Sequence, residues 1–263
     1  MLWRQRESSA VSRARSCGVS SASIEVGILT RGKATLGIAL TSVLLQDVPG
    51  VRVHIVDTSD SPVVNRDDVT LAMRLAFDRN IYCSYERLRD RKRGFSLGRL
   101  RLLEVLSGEL VCFIDDDMAF GASMMRQLLA VAAGQQGTFG CIRPICRNAT
   151  LPLGVAEDAC HYTPGSLLHL DGALRQALAA YYESTVDVVD PVKSEDKVWE
   201  VAFLGELLHR LGRPCLSAPE AVIYHLDHHE LRNWSVADGG IIRRSVNLAR
   251  QLACPQVAEP LAV

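Results

Sequence analysis

LVCFIDDDMAF, residues 110–120, joins a run of apolar side chains directly to three carboxylates, Asp115, Asp116 and Asp117. A short apolar run predicts a buried strand. Three adjacent like charges repel one another and resist burial, so something has to compensate them. On a strand, residues two apart point the same way. Asp115 and Asp117 then face one side and Asp116 the other, if the extended geometry persists. Two oxygen donors on one side of a strand end suit Mg²⁺ or Mn²⁺, which keep positions for substrate phosphates, and an imidazole partner favours Mn²⁺. A solvated acidic turn capping the next helix is the plainer alternative.

Upstream of this stretch, strands and helices alternate. Residues 24–30 and 51–56 predict strands, and 81–85 a third, with residues 109–114 as the fourth. A helix is expected from Thr35 to Gln46, with Leu36, Leu40, Val43 and Leu44 on one face. Asp67 and Asp68 are read as caps of a helix reaching Phe77, their charge suiting its N-terminal dipole. Ser96 is read as the cap of a helix carrying Leu97, Leu100, Leu103 and Leu106. Such alternation predicts a parallel sheet with right-handed crossovers. Ligands of these sheets bind beyond the carboxyl ends of the strands, here Thr30, Asp57, Arg87 and Asp115 to Asp117. Gly32 and Gly37 have the wrong spacing for a dinucleotide fingerprint, which argues against a dehydrogenase.

Downstream, the pattern loosens from Gly140 to Ser194, with an amphipathic helix expected at 173–182. Residues 194–212 read as a helix with a Ser cap, an acidic first turn and a Gly stop. A late strand is expected at 221–225 and a last helix at 241–253, with His228 and His229 between them. Residues 1–22, rich in Ser and Arg with one acid (Glu7), read as a disordered or non-native arm outside the fold.

Composition narrows the class. With 48% hydrophobic and 22% charged residues, the 263-residue chain is an ordinary globular one. A net charge of -1 argues against a protein that coats nucleic acid. No apolar run is long enough to span a bilayer, so the chain is expected to be soluble or at most peripheral, and its scattered thiols point to the cytoplasm. The eight cysteines form no CxxC pair and read as reduced core thiols. Cys141, Cys146, Cys160 and His161 are a weaker zinc alternative with irregular spacing.

The ordered motifs VGILTRGK, VHIVDTSD, RGFSLGRLRLLEVLSGELVCFIDDDM, SEDKVWEVAFLGELLHRLG and AVIYHL resemble the family 2 glycosyltransferases of the GT-A fold, over about residues 24–230. The resemblance implies a single α/β domain with a Rossmann-like, mainly parallel sheet flanked by helices. It spans residues 23–235, with a nucleotide-sugar half (23–120) and an acceptor half (121–235). Residues 236–263 follow as a C-terminal helix and tail. By this likeness Thr30 and Arg31 begin the nucleotide pocket, and Asp57 recognises base or ribose. Arg99 and Asp116 belong to the donor site. Asp117 binds the metal directly. Asp115 contacts ribose or a metal-bound water, and His225 completes the metal site, with His228 and His229 as rivals. Asp196 matches the general base.

Two positions depart from the family pattern. Leu100 follows Arg99 where an Asn is usual, and no Pro precedes Thr30. The implied reaction moves a sugar from a nucleoside diphosphate, UDP first among candidates, to an acceptor hydroxyl with inversion. It uses Mn²⁺ or Mg²⁺, and the acceptor is undefined. A metal-dependent nucleotidyltransferase is one alternative. Gly32-Lys33 is a poor phosphate loop for it, and Glu195-Asp196 would have no role. A non-catalytic sugar-nucleotide-binding module is the other.

Overall fold

The computed structural model describes residues 23–89, 94–135, 138–148, 162–186, 200–226 and 239–253. Its strands are β1 (Ile24–Thr30), β2 (Arg52–Asp57), β3 (Tyr82–Arg87), β4 (Leu110–Asp115), β5 (Met118–Phe120), β6 (Cys141–Asn148), β7 (Leu167–His169) and β8 (Cys215–His225). Its helices are α1 (Leu36–Leu44), α2 (Asp67–Asp78), α3 (Gly94–Val105), α4 (Met124–Ala133), α5 (Gly172–Thr185), α6 (Glu200–Arg210) and α7 (Gly239–Ala253).

All strands join one 8-stranded sheet in the order β3-β2-β1-β4-β7-β6-β8-β5. Its first half is parallel, as the strand–helix alternation predicts: β1 pairs with β2 and β4, and β2 with β3. Beyond β4 the sheet is mixed. β7 runs antiparallel to both β4 and β6, β6 is parallel to β8, and β8 is antiparallel to β5.

Successive side chains of a strand leave on opposite faces, so each strand feeds two cores. On β4, Cys112 and Ile114 join the cluster under α1, α2 and α4. Val111 and Phe113 join the cluster under α3, α5, α6 and α7. Helices therefore cover both faces of a shared sheet, and the chain is a single α/β domain. Gly27 on β1 leaves room on the second face. A Cβ there would lie 3.1 Å from the Phe113 ring and 3.3 Å from Leu102.

The α1 face holds as expected, with Leu36, Leu40, Val43 and Leu44 fully buried. Each contributes about 1.5–3 kcal/mol of apolar burial. Two expected caps are corrected. Arg66 occupies the cap position of α2, and Asp68 in its first turn pairs with Arg66. Helix α3 is described from Gly94, which leaves Ser96 within the helix, not as its cap, with its hydroxyl on Thr185 at 2.8 Å. The buried face of α3 is also rotated, running through Gly94, Gly98, Arg99, Leu102 and Leu103. The cause is close approach. A Cβ on Gly98 would lie 2.3 Å from Leu29 Cδ1, and one on Gly94 would lie 3.0 Å from Thr58.

Elements β5, β6, β7 and α4 lie where no strand or helix is expected from the sequence, and β8 begins six residues before the expected 221. The α6 helix is described from Glu200, so its expected start at Ser194 lies outside the described residues.

Candidate functional site

Register aligns the carboxyl ends of the parallel strands. Thr30 stands opposite Asp57, Asp57 opposite Arg87, and Leu29 opposite Asp115. Strand β4 ends at Asp115, and Asp116 and Asp117 form the turn into β5. The extended geometry does not persist, yet the carboxylates still divide two against one. Strand β5 pairs with β8 so that Met118 faces His225, and the Leu226 amide donates to the Asp117 carbonyl at 2.7 Å. That pairing carries His225 to within 3.4 Å of Asp117 Oδ1. One ligand atom each from Asp115, Asp117 and His225 lies within 4.8 Å of the others. Among the described residues they are the sole cluster of three metal-ligating side chains. Two carboxylates and an imidazole fit a divalent ion, with the nitrogen suiting Mn²⁺ over Mg²⁺.

Asp116 turns the other way. Its Oδ2 accepts from the Thr30 hydroxyl at 2.6 Å and the Arg31 amide at 3.3 Å. Its carbonyl accepts from the Thr35 hydroxyl at 2.9 Å. Burial raises the Asp116 carboxyl above its ordinary range, against the Thr30 hydrogen bond and the Lys33 charge. Thr30 is buried and Arg31 exposed, so these two residues tie the first strand to the acidic turn. Lys33 reaches the turn as well, with Nζ 2.6 Å from Asp117 Oδ2.

Arg99, expected at the donor, is turned inward and only 1% exposed. Its Nη2 donates to Asp115 Oδ1 at 3.2 Å, and its Nε lies 3.2 Å from Glu200 Oε1. The guanidinium sits over the Phe113 ring at 4.9 Å and the Phe95 ring at 5.4 Å. Glu200, the first described residue of α6, also accepts a hydrogen bond from the Tyr182 hydroxyl. Burial pushes the Asp115 carboxyl up to about 6, with Arg99 opposing and Asp117 and Glu200 adding to the rise. Its side chain retains 32% exposure, so solvent screens part of that penalty. Arg99 thus ties a candidate metal ligand to α6.

Asp57 is fully buried, and its own loop occupies it. Oδ1 accepts from the Ser59 amide at 2.8 Å and the Ser59 hydroxyl at 2.5 Å. Oδ2 accepts from the Val63 amide at 3.0 Å and the Tyr85 hydroxyl at 2.6 Å. With two bonds on each oxygen, Asp57 builds the loop at the carboxyl end of β2. Arg87 closes that loop through the Asp60 carbonyl at 2.6 Å.

Asp196, His228, His229, Cys160 and His161 lie outside the described residues. Of the thiols considered for zinc, Cys141 is buried and Cys146 exposed. Among the described residues, no helix is long and apolar enough to cross a membrane. Sequence reasoning gave no site role to Lys33, Glu200, Tyr182 or Arg66. The one available signal was a Gly-Lys pair directly after the first strand.

No protein-family model matches the chain, and no curated protein matches it by sequence. Solved structures do match. The mannosyltransferase PcManGT from Pyrobaculum calidifontis, in complex with GDP-Man and Mn²⁺, superposes with TM-score 0.54 at 13% identity, covering 90% of this chain and 76% of that one. S. aureus TarS 1-349 with UDP-GlcNAc gives TM-score 0.57 at 13% identity, covering 92% and 68%. GalNAc-T7 with UDP, GalNAc and Mn²⁺ gives TM-score 0.55 at 12% identity, covering 87% of this chain but 48% of that one. The fold is that of the GT-A glycosyltransferases.

Proposed function

We propose that the chain is a metal-dependent, inverting glycosyltransferase that moves a sugar from a nucleoside diphosphate to an acceptor hydroxyl. The observation that carries this is the convergence of Asp115, Asp117 and His225 at the carboxyl mouth of a GT-A sheet. Asp117 and His225 would hold a Mn²⁺ or Mg²⁺ ion, with Asp115 beside them. When bound, such an ion supplies Lewis-acid stabilisation of charge on the departing diphosphate.

The chain's own residues do the rest. Thr30 and the Arg31 amide fix Asp116, which holds the acidic turn against the first strand. Asp57, Ser59 and Tyr85 shape the loop where the nucleoside would lie, with a UDP-sugar as the first candidate donor. Arg99 holds Asp115 in position and balances its charge. Asp196 takes the proton of the acceptor hydroxyl as it attacks from the face opposite the leaving group, which inverts the anomeric centre. Family 2 membership and a cytoplasmic location are part of the same proposal.

The test is release of nucleoside diphosphate from a panel of UDP-, GDP- and dTDP-sugars with Mn²⁺ and simple sugar acceptors. Asp196→Asn should lower transfer at least ~100-fold while donor binding persists. Silence across the panel, or an Asp196→Asn variant that transfers at the wild-type rate, would overturn the assignment.

A further inference from the structure

The acidic mouth carries a positive charge of its own. Lys33 Nζ stands 2.6 Å from Asp117 Oδ2, while Asp117 Oδ1 faces His225 Nε2 at 3.4 Å. The Asp117 side chain is 2% exposed and that of Lys33 is 29%, so the ammonium reaches in from the solvent side to a nearly dry carboxylate. The loop bearing Lys33 is fastened on both sides. Arg66 Nη1 donates to the carbonyls of Gly32 at 3.2 Å and Lys33 at 2.6 Å, and Nη2 to that of Ala34 at 3.0 Å. Asp68 grips Arg66 in turn, at 3.0 and 2.6 Å. On the other side, the Thr35 hydroxyl bonds the Asp116 carbonyl at 2.9 Å. With the backbone held, the flexible four-carbon stem of Lys33 is the part that can move.

We propose that Lys33 is an exchangeable counter-cation. It neutralises Asp117 until the divalent ion arrives, is displaced from that carboxylate by the ion, and turns to the diphosphate of the donor. This rests on the metal-site reading above. An ammonium and a divalent ion in contact with one carboxylate repel each other, so ion binding disfavours the lysine contact. The diphosphate then brings the negative charge to which a freed ammonium on a short stem is drawn. Removing Lys33 therefore has effects of opposite sign on the two ligands. The ion gains because its competitor is gone, and the phosphates lose a cationic partner.

The experiment uses Lys33→Met, with Lys33→Gln as a second variant, and probes that need no knowledge of the sugar. Mn²⁺ binding is followed by the loss of its free-ion electron paramagnetic resonance signal. Inorganic pyrophosphate is then titrated at saturating Mn²⁺. Mn²⁺ should bind both variants about fivefold tighter than wild type, the scale of a partly exposed ion pair. Pyrophosphate should bind about tenfold weaker, the scale of a charge-assisted hydrogen bond. Equal or weaker Mn²⁺ binding by the variants, or unchanged pyrophosphate binding, overturns the exchange while leaving the metal centre standing. A wild-type chain that binds no Mn²⁺ removes both.

Discussion

Replacing Arg99 with Met keeps an unbranched stem of similar bulk and deletes the charge between Asp115 and Glu200. The side chains of Arg99 and Glu200 are 1% and 8% exposed, so water cannot stand in for the lost guanidinium at Glu200. Stripping one partner from a buried pair costs about 3–5 kcal/mol. Asp115 adds little, because its side chain is 32% exposed and solvent replaces much of that contact. The Tyr182 hydroxyl still donates to Glu200, which keeps the cost toward the lower end at about 3–4 kcal/mol. In a chain of this size each kcal/mol moves the melting temperature by about 2–4 °C, so Arg99→Met should melt roughly 10 °C lower. The double variant Arg99→Met/Glu200→Gln removes the orphaned charge and should recover at least half of the loss. Urea unfolding of wild type, both single variants and the double variant gives the coupling directly. An Arg99→Met variant within about 1 kcal/mol of wild type would refute the account of Arg99 as the buried tie between strand end and helix.

Two further perturbations act away from the carboxylate mouth. Burial pushes the Glu25 carboxyl up, but the amides of Gly108 and Ser107 and the Ser107 hydroxyl together pull it below its ordinary value. A depressed carboxyl contributes stability above its unfolded pKa and loses it as pH falls through the folded one, so the contribution fades below about pH 4.5. Urea midpoints of wild type and Glu25→Gln should converge on acidification, and a gap that stays constant between pH 6 and pH 3 would contradict this. Gly37→Ala places a Cβ 2.4 Å from Asp68 Oδ2 and 2.7 Å from Asp68 Cβ, which forces Asp68 off Arg66. It should cost about 1–3 kcal/mol in urea unfolding, and a loss under 0.5 kcal/mol would show that the helices part without strain.

Much of the fold was legible because the parallel half announces itself through short apolar runs, helical spacing and turn residues. The β1 bounds fall where expected, and β2, β3 and β4 come within a residue or two. The mixed half hides for physical reasons. β5 and β7 are three residues each, too short to show a period. β6 carries Pro144, normally a mark against a strand, and the register shifts directly after it. Asp115 and Asp117 were legible as a pair of oxygen donors at a strand end, whereas His225 joined them only through the family resemblance. Arg99 was not, because an Arg on a helix gives no sign that the helix buries it against Phe113 and Glu200. Asp57 was half-legible. Its place at the strand end is as expected, while the Tyr85 hydroxyl and the Val63 amide that occupy it come from outside its own motif.

The central claim is a divalent-ion centre built from Asp115, Asp117 and His225 that holds a nucleoside diphosphate. The direct measurement is the melting temperature of wild type and Asp117→Asn with Mn²⁺, with UDP, and with both. A ligand bound at 100 times its dissociation constant adds about 2.7 kcal/mol, or roughly 5–10 °C at this size. The account predicts a rise of that order for wild type only when ion and nucleotide are present together, or with GDP or dTDP if the base differs. It predicts no such rise for Asp117→Asn. A rise that survives in Asp117→Asn, or none in wild type with any nucleoside diphosphate, would contradict it.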